Sequence, residues 1–425
     1  MKKLKIALIG AGGRGKNYTD ATFSHPDKYQ LVAVCEPVKE KRDYIKKLHN
    51  IPEENCFESW EEFLKLPKMA DVVLICTQDQ DQYAPAMEAI RKKYDLLLEK
   101  PITPSPKECM EIAQEAHKYG VKVVVCHVLR YTKFYKKMKE CITSGVLGEV
   151  MNINHTEGVG NIHYSHSFAR GPWRKKADAA PMILAKSCHD ADLLQWLIGE
   201  PCTSLQSYGT LSHFLKENAP KDAPQYCMDG CPHKDECFYY APELYKPGAW
   251  AWCLKHVVAN KFEPTYEEVL RALEKGQYGR CVYKCDNDVV DHQVVNMKFG
   301  ENKYVCFTMS AFNKGGRTTT IMGTKGELTA NMEDSSIKIY DFATQKTITV
   351  MEPDDSFDDT INGGHGGGDE GIMIDLYEYI ANNNPSESIS DIFESCRNHL
   401  ICFAAEESRV ENTIIDMDKY ESQIL

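Results

Sequence analysis

The sequence predicts two α/β units that follow one another along the chain. Residues 1–128 are expected to form a doubly wound parallel sheet, and residues 129–425 an α+β domain with an open, largely antiparallel sheet. In the first third, short continuous apolar runs alternate with helical segments, as in βαβ units. Later strands alternate apolar and polar residues, as in a sheet with one exposed face. The composition, 43% hydrophobic and 26% charged over 425 residues, is typical of a globular protein.

The first unit is built from five predicted strands and the helices between them. Continuous apolar runs of this kind are buried on both faces of a parallel sheet. The strands are expected at residues 4–9, 30–35, 71–76, 96–99 and 121–127, and helices up to residue 24 and at 39–49, 83–93 and 105–119.

The second unit begins with a predicted helix at residues 131–144. Residues 205–265 are rich in Pro, Cys and aromatic residues without a clear period, so they are expected to form an insertion rather than a third domain. Alternating strands are expected at 149–158, 289–299, 304–311, 318–322 and 337–340, and closing helices at about 369–382 and 391–409.

The charge excludes several classes of partner. Fifty Lys and Arg against 62 Asp and Glu give a formal net charge of −12, which is a poor match for nucleic acid or anionic membranes. No apolar run approaches the ~18 residues of a membrane-spanning helix. The apolar stretch at residues 6–11 is shorter than the ~7–15-residue core of a secretory signal, so it is interpreted as a buried strand.

The 17 cysteines indicate free thiols in a reducing, cytoplasmic setting, because a chain of this size can fold without disulfides. One cluster has two interpretations. Cys227, Cys231 and Cys237, with His233 between them, either hold a structural zinc ion that stabilises the insertion or are free thiols.

The strongest local signal is the G-x-G-x-x-G sequence from Gly10 to Gly15. It follows an apolar strand and opens a helix, which is the context that dinucleotide binding requires. Gly10 permits the tight turn, Gly12 lets the backbone approach a pyrophosphate, and Gly15 lets the helix pack on the strand. The free N–H groups of the helix start favour phosphates. The loop, including Gly13 and Arg14, is therefore the expected cofactor site.

Glu36 ends the next strand, about 20 residues after this loop. Its carboxylate can accept both ribose hydroxyls of NAD and would repel the 2′-phosphate of NADP. NAD is therefore the expected cofactor. The nearby Lys39 and Arg42 keep NADP as an alternative.

Two further motifs carry groups suited to acid–base chemistry. The triplet EKP at residues 99–101 ends the fifth strand, and ligands of doubly wound sheets bind beyond the carboxyl ends of the strands. Lys100 is therefore expected to point into the cofactor crevice. His189 lies near a helix start in the sequence KSCHDAD at residues 186–192, and its imidazole suits a general base. A solvated Lys and a structural His are the alternatives.

Together these motifs resemble one family. The glycine loop, the strand-end Glu36, the EKP triplet and the H-D-x-D-x-x-x-W-L-x-G sequence from His189 to Gly199 resemble the Gfo/Idh/MocA oxidoreductases, and the A-A-E-E-S stretch at residues 404–408 extends the resemblance. It implies a Rossmann domain, then an open-sheet domain whose outer face often forms a dimer, and hence a homodimer or homotetramer. It also implies hydride transfer between nicotinamide and a sugar, sugar derivative or cyclitol.

The resemblance assigns roles by position. Lys100 matches the family's active-site Lys beside nicotinamide and substrate hydroxyl, and His189 matches the His that moves the hydroxyl proton. Thr77 and Gln78 match the loop that touches the cofactor. Glu99 is expected at the cofactor as well.

Two positions depart from the family pattern. The common Asp four residues before the His is Ala185 here, and the usual His of the loop after the fourth strand is Gln82, which we still expect at the cofactor. The proton relay is therefore expected to use Lys186, Asp190 or a water. This difference leaves the substrate open.

Further polar and aromatic residues are expected to line a sugar pocket. Aromatic faces and forked Arg donors suit hydroxylated rings, and the Gly-rich run at residues 363–369 is expected to open a helix with Asp369 as its N-cap. The candidate substrate residues are His163, His166, Arg170, Trp173, Asp192 and His365.

Three functions are compatible with the sequence. The favoured one is a reversible NAD-dependent dehydrogenase of a sugar or cyclitol hydroxyl. The second is a redox-neutral enzyme that cleaves a glycosidic bond by oxidation, elimination and reduction while NAD stays bound. The third is a non-enzymatic NAD-binding sensor, which the presence of Lys100 and His189 argues against.

Overall fold

The chain is organised around two β-sheets. The computed structural model describes residues 3–354, 358 and 364–424. The first sheet is a six-stranded parallel sheet with the order β3-β2-β1-β4-β5-β6. This confirms the predicted doubly wound sheet. Its strands are β1 Leu4–Ile9, β2 Tyr29–Cys35, β3 Cys56–Phe57, β4 Val72–Ile75, β5 Asp95–Leu98 and β6 Val123–Val125.

Helices connect these strands, and several begin and end at residues with a clear local cause. The Ser105 hydroxyl accepts a hydrogen bond from the Glu108 N–H at one helix start, and Gly120, with φ of +66°, ends the same helix. The helices are Gly13–Thr19, Ala21–Ser24, Lys39–His49, Trp60–Lys65, Tyr83–Arg91 and Pro106–Tyr119, with short 3₁₀ turns at Glu53–Asn55, Asp79–Asp81 and Val128–Tyr131.

The second sheet is open and has nine strands in the order β14-β13-β12-β11-β7-β10-β9-β8-β15. Of its described pairs only β7 with β10 is parallel, so the predicted, largely antiparallel sheet is confirmed. The strands are β7 Val150–Gly158, β8 Cys202–Thr210, β9 His292–Phe299, β10 Lys303–Ser310, β11 Gly316–Gly323, β12 Gly326–Asn331, β13 Ser336–Asp341, β14 Lys346–Met351 and β15 Ile415–Asp416.

The helices of the second unit lie before, between and after these strands. The longer ones are Lys133–Thr143, Cys188–Ile198, Tyr266–Lys275, Gly364–Asn382, Ile392–Glu411 and Met417–Ile424. The shorter ones are Asn161–Tyr164, Ser165–Arg170, Pro172–Arg174, Met182–Ala185, Lys216–Asn218, Ala241–Leu244, Trp250–Leu254, Lys255–Val258, Gln277–Gly279 and Val282–Lys284. In the described part of the chain, no helix combines the length and apolar character needed to cross a membrane.

The parallel sheet is covered on one face by the far end of the chain. Ile372, Met373 and Leu376 of the helix Gly364–Asn382 join the core formed by one face of the sheet. The Tyr29 hydroxyl donates to the Met373 carbonyl oxygen at 2.7 Å. The two predicted units are therefore tied together by the closing helices.

The segment at 205–265, which was expected to be an insertion, overlaps a strand of the second sheet at its start. Its first part belongs to β8, which pairs with β9 along its length. The buried Ser207 and the exposed Tyr208 break the alternation of apolar and polar residues that would indicate a strand. We use the term insertion for the stretch between β8 and β9, residues 211–291. The sequence also missed β3 and β15, which have two residues each, β14, which has no buried residue, and β12.

A buried ion pair ties the turn after β6 to two helices of the second unit. Arg130, in the turn after β6, donates from Nε and Nη2 to both Asp192 oxygens at 2.6 and 2.7 Å, and also pairs with Glu394. The side chains of Arg130 and Asp192 are 0% and 1% exposed. Asp192 therefore serves packing of the helix Cys188–Ile198 against the turn after β6, and its carboxylate is not available to a substrate.

We predict that Asp192→Asn lowers the free energy of unfolding by about 3 kcal/mol, because it leaves a buried guanidinium with an incomplete set of anionic partners. Urea unfolding followed by circular dichroism measures it. The control is Lys137→Ala, whose solvent-exposed pair with Glu140 should contribute little to stability. An Asp192→Asn protein as stable as the control would contradict the prediction.

Candidate active site

The glycine loop has the shape that a dinucleotide requires. Gly10 has φ of +90°, and a Cβ there would lie 2.6 Å from the Cys76 carbonyl oxygen. A Cβ on Gly15 would lie 2.3 Å from the Gly10 carbonyl oxygen, so both positions need glycine. Gly12, the N-cap of the helix, has open space for at least 4 Å where a side chain would begin. This space beside free helix N–H groups fits a pyrophosphate.

The Glu36 carboxylate lies at the rim of this loop. It is 6% exposed, and its two oxygens accept the N–H groups of Ala11 and Val38 at 2.8 and 2.9 Å. Each oxygen retains a lone pair for a ribose hydroxyl. The position fits the adenosine ribose of NAD.

The two basic residues that favoured NADP have other partners. Arg42 donates to the Glu36 carbonyl oxygen and pairs with Glu58 at 3.0 Å. Lys39 pairs with Asp43. Neither is free to bind a 2′-phosphate without giving up a partner, which strengthens the case for NAD.

Arg14 and Glu99 of the predicted cofactor set are held in an internal network. The Arg14 Nε donates to Glu99 at 2.8 Å, and its terminal nitrogens donate to both Asp369 oxygens at 2.8 and 2.7 Å and to Tyr18. The second Glu99 oxygen accepts the Lys100 N–H at 2.7 Å. These two residues fix the loop and the strand end in position. Asp369 is therefore an ion-pair partner here and not the N-cap that the sequence suggested.

The residues of the loop after β4 differ in their exposure and in their hydrogen-bond partners. Gln78 is exposed, and the Thr77 hydroxyl donates to the Asp81 carbonyl oxygen at 3.0 Å. Gln82 is fully buried, and its amide donates to the Pro101 carbonyl oxygen at 3.1 Å. Gln82 thus supports the segment that follows Lys100.

The structure adds Asp79 to this loop, a residue that the sequence gave no reason to select. It is 5% exposed, and one oxygen lies 3.4 Å from the Trp173 indole nitrogen. Burial raises the pKa of Asp79 to about 6, against the opposing charge of Lys100. Asp79 and Trp173 therefore form one wall of the cleft at Lys100.

Lys100 and His189 come from different units and meet at the carboxyl edge of the parallel sheet. The Lys100 Nζ donates to the Ala185 carbonyl oxygen at 2.9 Å, three residues before the helix that carries His189. Burial, with the charge of Lys100 and then His127, holds the pKa of His189 well below its usual value. His189 is therefore a neutral imidazole beside an ammonium group, and its Nδ1 has no hydrogen-bond partner among the described residues.

Lys186 lies in a buried charge network next to His189. Its Nζ is 3.3 Å from a Glu157 oxygen, and Arg317 bridges Glu157 and Asp190. Burial lowers the pKa of Lys186 although Glu157 raises it. Asp190 is fully buried and contacts both Arg317 and His155, the latter at 3.0 Å, so it anchors this network.

Two further predicted substrate residues, His163 and His365, interact electrostatically with the groups at this site. Burial lowers the pKa of His163, and the charges of Lys186, His166 and Lys100 lower it further. The His365 Nδ1 lies 3.2 Å from Asp369, and the His365 charge acts on the pKa of His189. His163 is therefore coupled electrostatically to Lys100 and Lys186, and His365 to His189.

The remaining predicted substrate residues do not reach the cleft. The His166 Nδ1 contacts the Tyr245 hydroxyl at 2.6 Å, and its ring stacks on Tyr278. Arg170 is fully buried and donates to the carbonyl oxygens of Arg280 and Tyr239 at 2.8 Å. Both residues hold the insertion against the second unit.

The zinc prediction is not supported. In the part of the chain that the structure describes, no group of three or more His, Cys, Asp or Glu side chains is arranged to hold a metal ion. Cys227, Cys231 and Cys237 line a small cavity with His233, and the His233 Nε2 contacts the Lys221 carbonyl oxygen at 2.6 Å. All 17 cysteines are free thiols.

The fold and this cleft define a class, the dinucleotide-dependent oxidoreductases in which an α/β second domain faces the cofactor. Residues 4–127 match the family model described as an oxidoreductase family with an NAD-binding Rossmann fold, and residues 139–399 match its C-terminal alpha/beta domain. The chain belongs to the Gfo/Idh/MocA oxidoreductase family.

Several known proteins are similar to this chain. The oxidoreductase YteT of Bacillus subtilis strain 168 is 24% identical over 75% of this chain and 74% of its own length. The inositol 2-dehydrogenase/D-chiro-inositol 3-dehydrogenase of Lactiplantibacillus plantarum is 21% identical over 53% of this chain and 61% of its own length. A levoglucosan dehydrogenase, solved with NADH and levoglucosan, has the same fold with a TM-score of 0.72 and 15% identity, over 98% of this chain and all of that one.

We predict that Glu36→Gln weakens NAD binding by about 10- to 100-fold, because hydrogen bonds to a charged acceptor contribute about 1.5–3 kcal/mol. NADP binding should improve relative to NAD, since the repulsion of a 2′-phosphate is removed. Calorimetric titration with both cofactors measures this. Lys39→Ala is the control, and unchanged cofactor preference in Glu36→Gln would contradict the prediction.

Proposed function

We propose that this enzyme uses NAD to oxidise a hydroxyl group of a sugar, sugar derivative or cyclitol. The observation that carries the proposal is the meeting of Lys100 with a neutral His189 beside the glycine loop. The relatives named for inositol and levoglucosan support a polyhydroxylated substrate. The specific sugar is not part of the proposal.

The cofactor, Lys100 and His189 each have a separate role in the proposed reaction. Bound NAD supplies the acceptor for the hydride of the hydroxyl-bearing carbon. The Lys100 ammonium turns from the Ala185 carbonyl to the substrate oxygen and stabilises the negative charge that develops there. His189, whose imidazole is neutral, accepts the hydroxyl proton.

Lys186 is the group that we propose for the onward proton relay, in place of the family's Asp. Its lowered pKa makes an uncharged amine more accessible than for a solvated Lys. Glu157, 3.3 Å away, orients its nitrogen. His163, Trp173 and His365 then provide the polar and aromatic walls for a sugar ring.

A redox-neutral glycoside-cleaving reaction with retained NAD is the second candidate. The observation that favours it is the cover over the glycine loop: the insertion places His256 against Gly13, and Asp369 clamps Arg14. A covered cofactor suits a cycle in which the hydride returns to the product. An absorption spectrum of the purified protein, with turnover measured without net NADH, distinguishes it from the first candidate.

We also propose a homo-oligomer formed through the outer face of the nine-stranded sheet. Large apolar side chains are exposed there on neighbouring strands, with Tyr208 on β8, Val294 on β9 and Tyr304 on β10. A patch of this kind marks an interface. Light scattering of the purified protein measures the oligomer.

A cytoplasmic location is the remaining part of the proposal. It rests on the 17 free thiols, which persist in a reducing compartment. Fractionation of cells that produce the protein tests it.

We predict that Lys100→Met and His189→Asn each lower kcat by about 10²–10⁴-fold, the range for a group that acts in acid–base catalysis. NAD affinity should change by less than about threefold, since the pyrophosphate and ribose sites are untouched. A panel of sugars and cyclitols with NADH formation as readout measures kcat. Near-full activity of either variant on the true substrate would overturn the role of that residue.

We predict that kcat/KM for alcohol oxidation stays constant from about pH 8 to about pH 6 and falls only at lower pH. A base with a lowered pKa remains deprotonated at more acidic pH, and the His189 pKa is lowered by burial and by Lys100. In Lys100→Met the residual activity should fall at a higher pH, because the repelling charge is gone. Wild-type activity lost near pH 7, with no shift in the variant, would contradict this.

A further inference from the structure

One segment of the insertion runs back along the cofactor cleft. We call residues 250–262 the return segment. Its Trp250 ring lies 6.0 Å from the His163 ring at the substrate end of the cleft, and its Phe262 ring lies 4.6 Å from Tyr44 on the helix Lys39–His49. Between these two contacts, the segment passes over the glycine loop.

His256, in the middle of the return segment, lies against the glycine loop itself. Its Nε2 is 3.1 Å from the position that a Cβ of Gly13 would occupy. Gly13 is the first residue of the helix whose N–H groups face the open space at Gly12. An imidazole nitrogen therefore stands at the edge of the space that fits the pyrophosphate.

The orientation of the ring follows from its other nitrogen. The His256 Nδ1 is 3.1 Å from the Cys253 carbonyl oxygen, which can only accept, so Nδ1 carries the proton. Nε2 faces the loop, and within the described ranges it has no hydrogen-bond partner. Protonation at Nε2 would convert it into a donor for an anion.

The surroundings of His256 are cationic. Burial lowers its pKa most, the Cys253 carbonyl raises it, and Lys41, Lys255 and Lys16 lower it further. Lys16 pairs with Asp20 at 2.8 Å, whereas Lys41 and Lys255 have no ion pair within the described residues. The lysines come from three different elements, and their common charge favours an anion at this place.

We propose that the return segment completes the pyrophosphate subsite, with His256 donating from Nε2 to a pyrophosphate oxygen of bound NAD and Lys41 and Lys255 adding charge. The ring takes up a proton from solution as NAD binds, and the cofactor becomes slower to leave. This inference rests on the NAD binding of the proposed function but not on the identity of its substrate.

The proposal predicts tighter NAD binding at pH 6 than at pH 8. The free imidazole is mostly neutral because its pKa is lowered, and the bound diphosphate stabilises the protonated form. His256→Ala should weaken NAD binding about tenfold at pH 6 and much less at pH 8. ADP-ribose, which has the pyrophosphate but no nicotinamide, should lose the same factor.

Calorimetric titration with NAD in two buffers of different ionisation enthalpy measures the proton uptake directly. The wild-type protein should take up a fraction of a proton near pH 7, and His256→Ala should take up clearly less. His256→Gln, which keeps a donor but cannot titrate, should recover part of the affinity without pH dependence. His233→Ala, in the same insertion but at the cysteine-lined cavity, is the matched control and should behave like the wild type.

The inference is overturned if the wild type and His256→Ala bind NAD with equal affinity and equal pH dependence. It is also overturned if the variant binds NAD more tightly, or if the wild type does not bind NAD. Failure of the proposed function gives a different result. A protein that binds NAD with this pH dependence but oxidises no sugar or cyclitol contradicts the proposed function and supports the inference.

Discussion

A parallel sheet has two apolar faces, and both must be covered by other parts of the chain. Here one face is covered by the helix Gly364–Asn382, which enters the core through Ile372, Met373 and Leu376. Because the body of this helix is fixed on the sheet, its first turn lies beside the glycine loop. The pair between Arg14 and Asp369, 355 positions apart in sequence, follows from that placement. The geometry of the cofactor site thus depends on burial of the second face.

The cleft concentrates cations and leaves its key base neutral. Lys100 acts on His189, and the carboxylates nearby are shared with arginines: Glu157 contacts both Lys186 and Arg317, Asp190 contacts Arg317, and Glu99 contacts Arg14. A neutral imidazole next to an ammonium group is a poor place for a second positive charge. It is a suitable place for a substrate oxygen that becomes negative as its proton leaves.

The insertion has a physical role that its composition does not reveal. Its own small core includes Tyr245, Val269 and Leu273, and Arg170 is buried against its backbone carbonyls. This core allows it to hold its shape without a metal ion in the residues that the structure describes. With that support, the return segment can lie over the cleft instead of extending into solvent.

Local sequence patterns were sufficient to predict the elements whose conformation has a local cause. Continuous apolar runs indicated the strands of the parallel sheet, and the spacing of Gly10, Gly12 and Gly15 indicated a turn that only glycine can form. Strands β3 and β14 were missed because one is very short and the other has no buried side to create a pattern. The strand-end position of Lys100 indicated the cofactor crevice, whereas His189, on a helix of the second unit, was assigned to the same site only by the family resemblance.

The sequence by itself determined the two-sheet architecture, the glycine loop and the small set of groups able to carry acid–base chemistry. Only the tertiary structure decided which polar residues serve packing and which face the cleft. Asp192, Arg170 and His166 could not be separated from His163 and Trp173 by sequence, because their partners Arg130, Tyr239 and Tyr245 lie far along the chain. For the same reason nothing local marked His256, whose proximity to Gly13 exists only in the folded protein. The availability of an ionisable group depends on its burial and its partners, and both are set by contacts between distant segments.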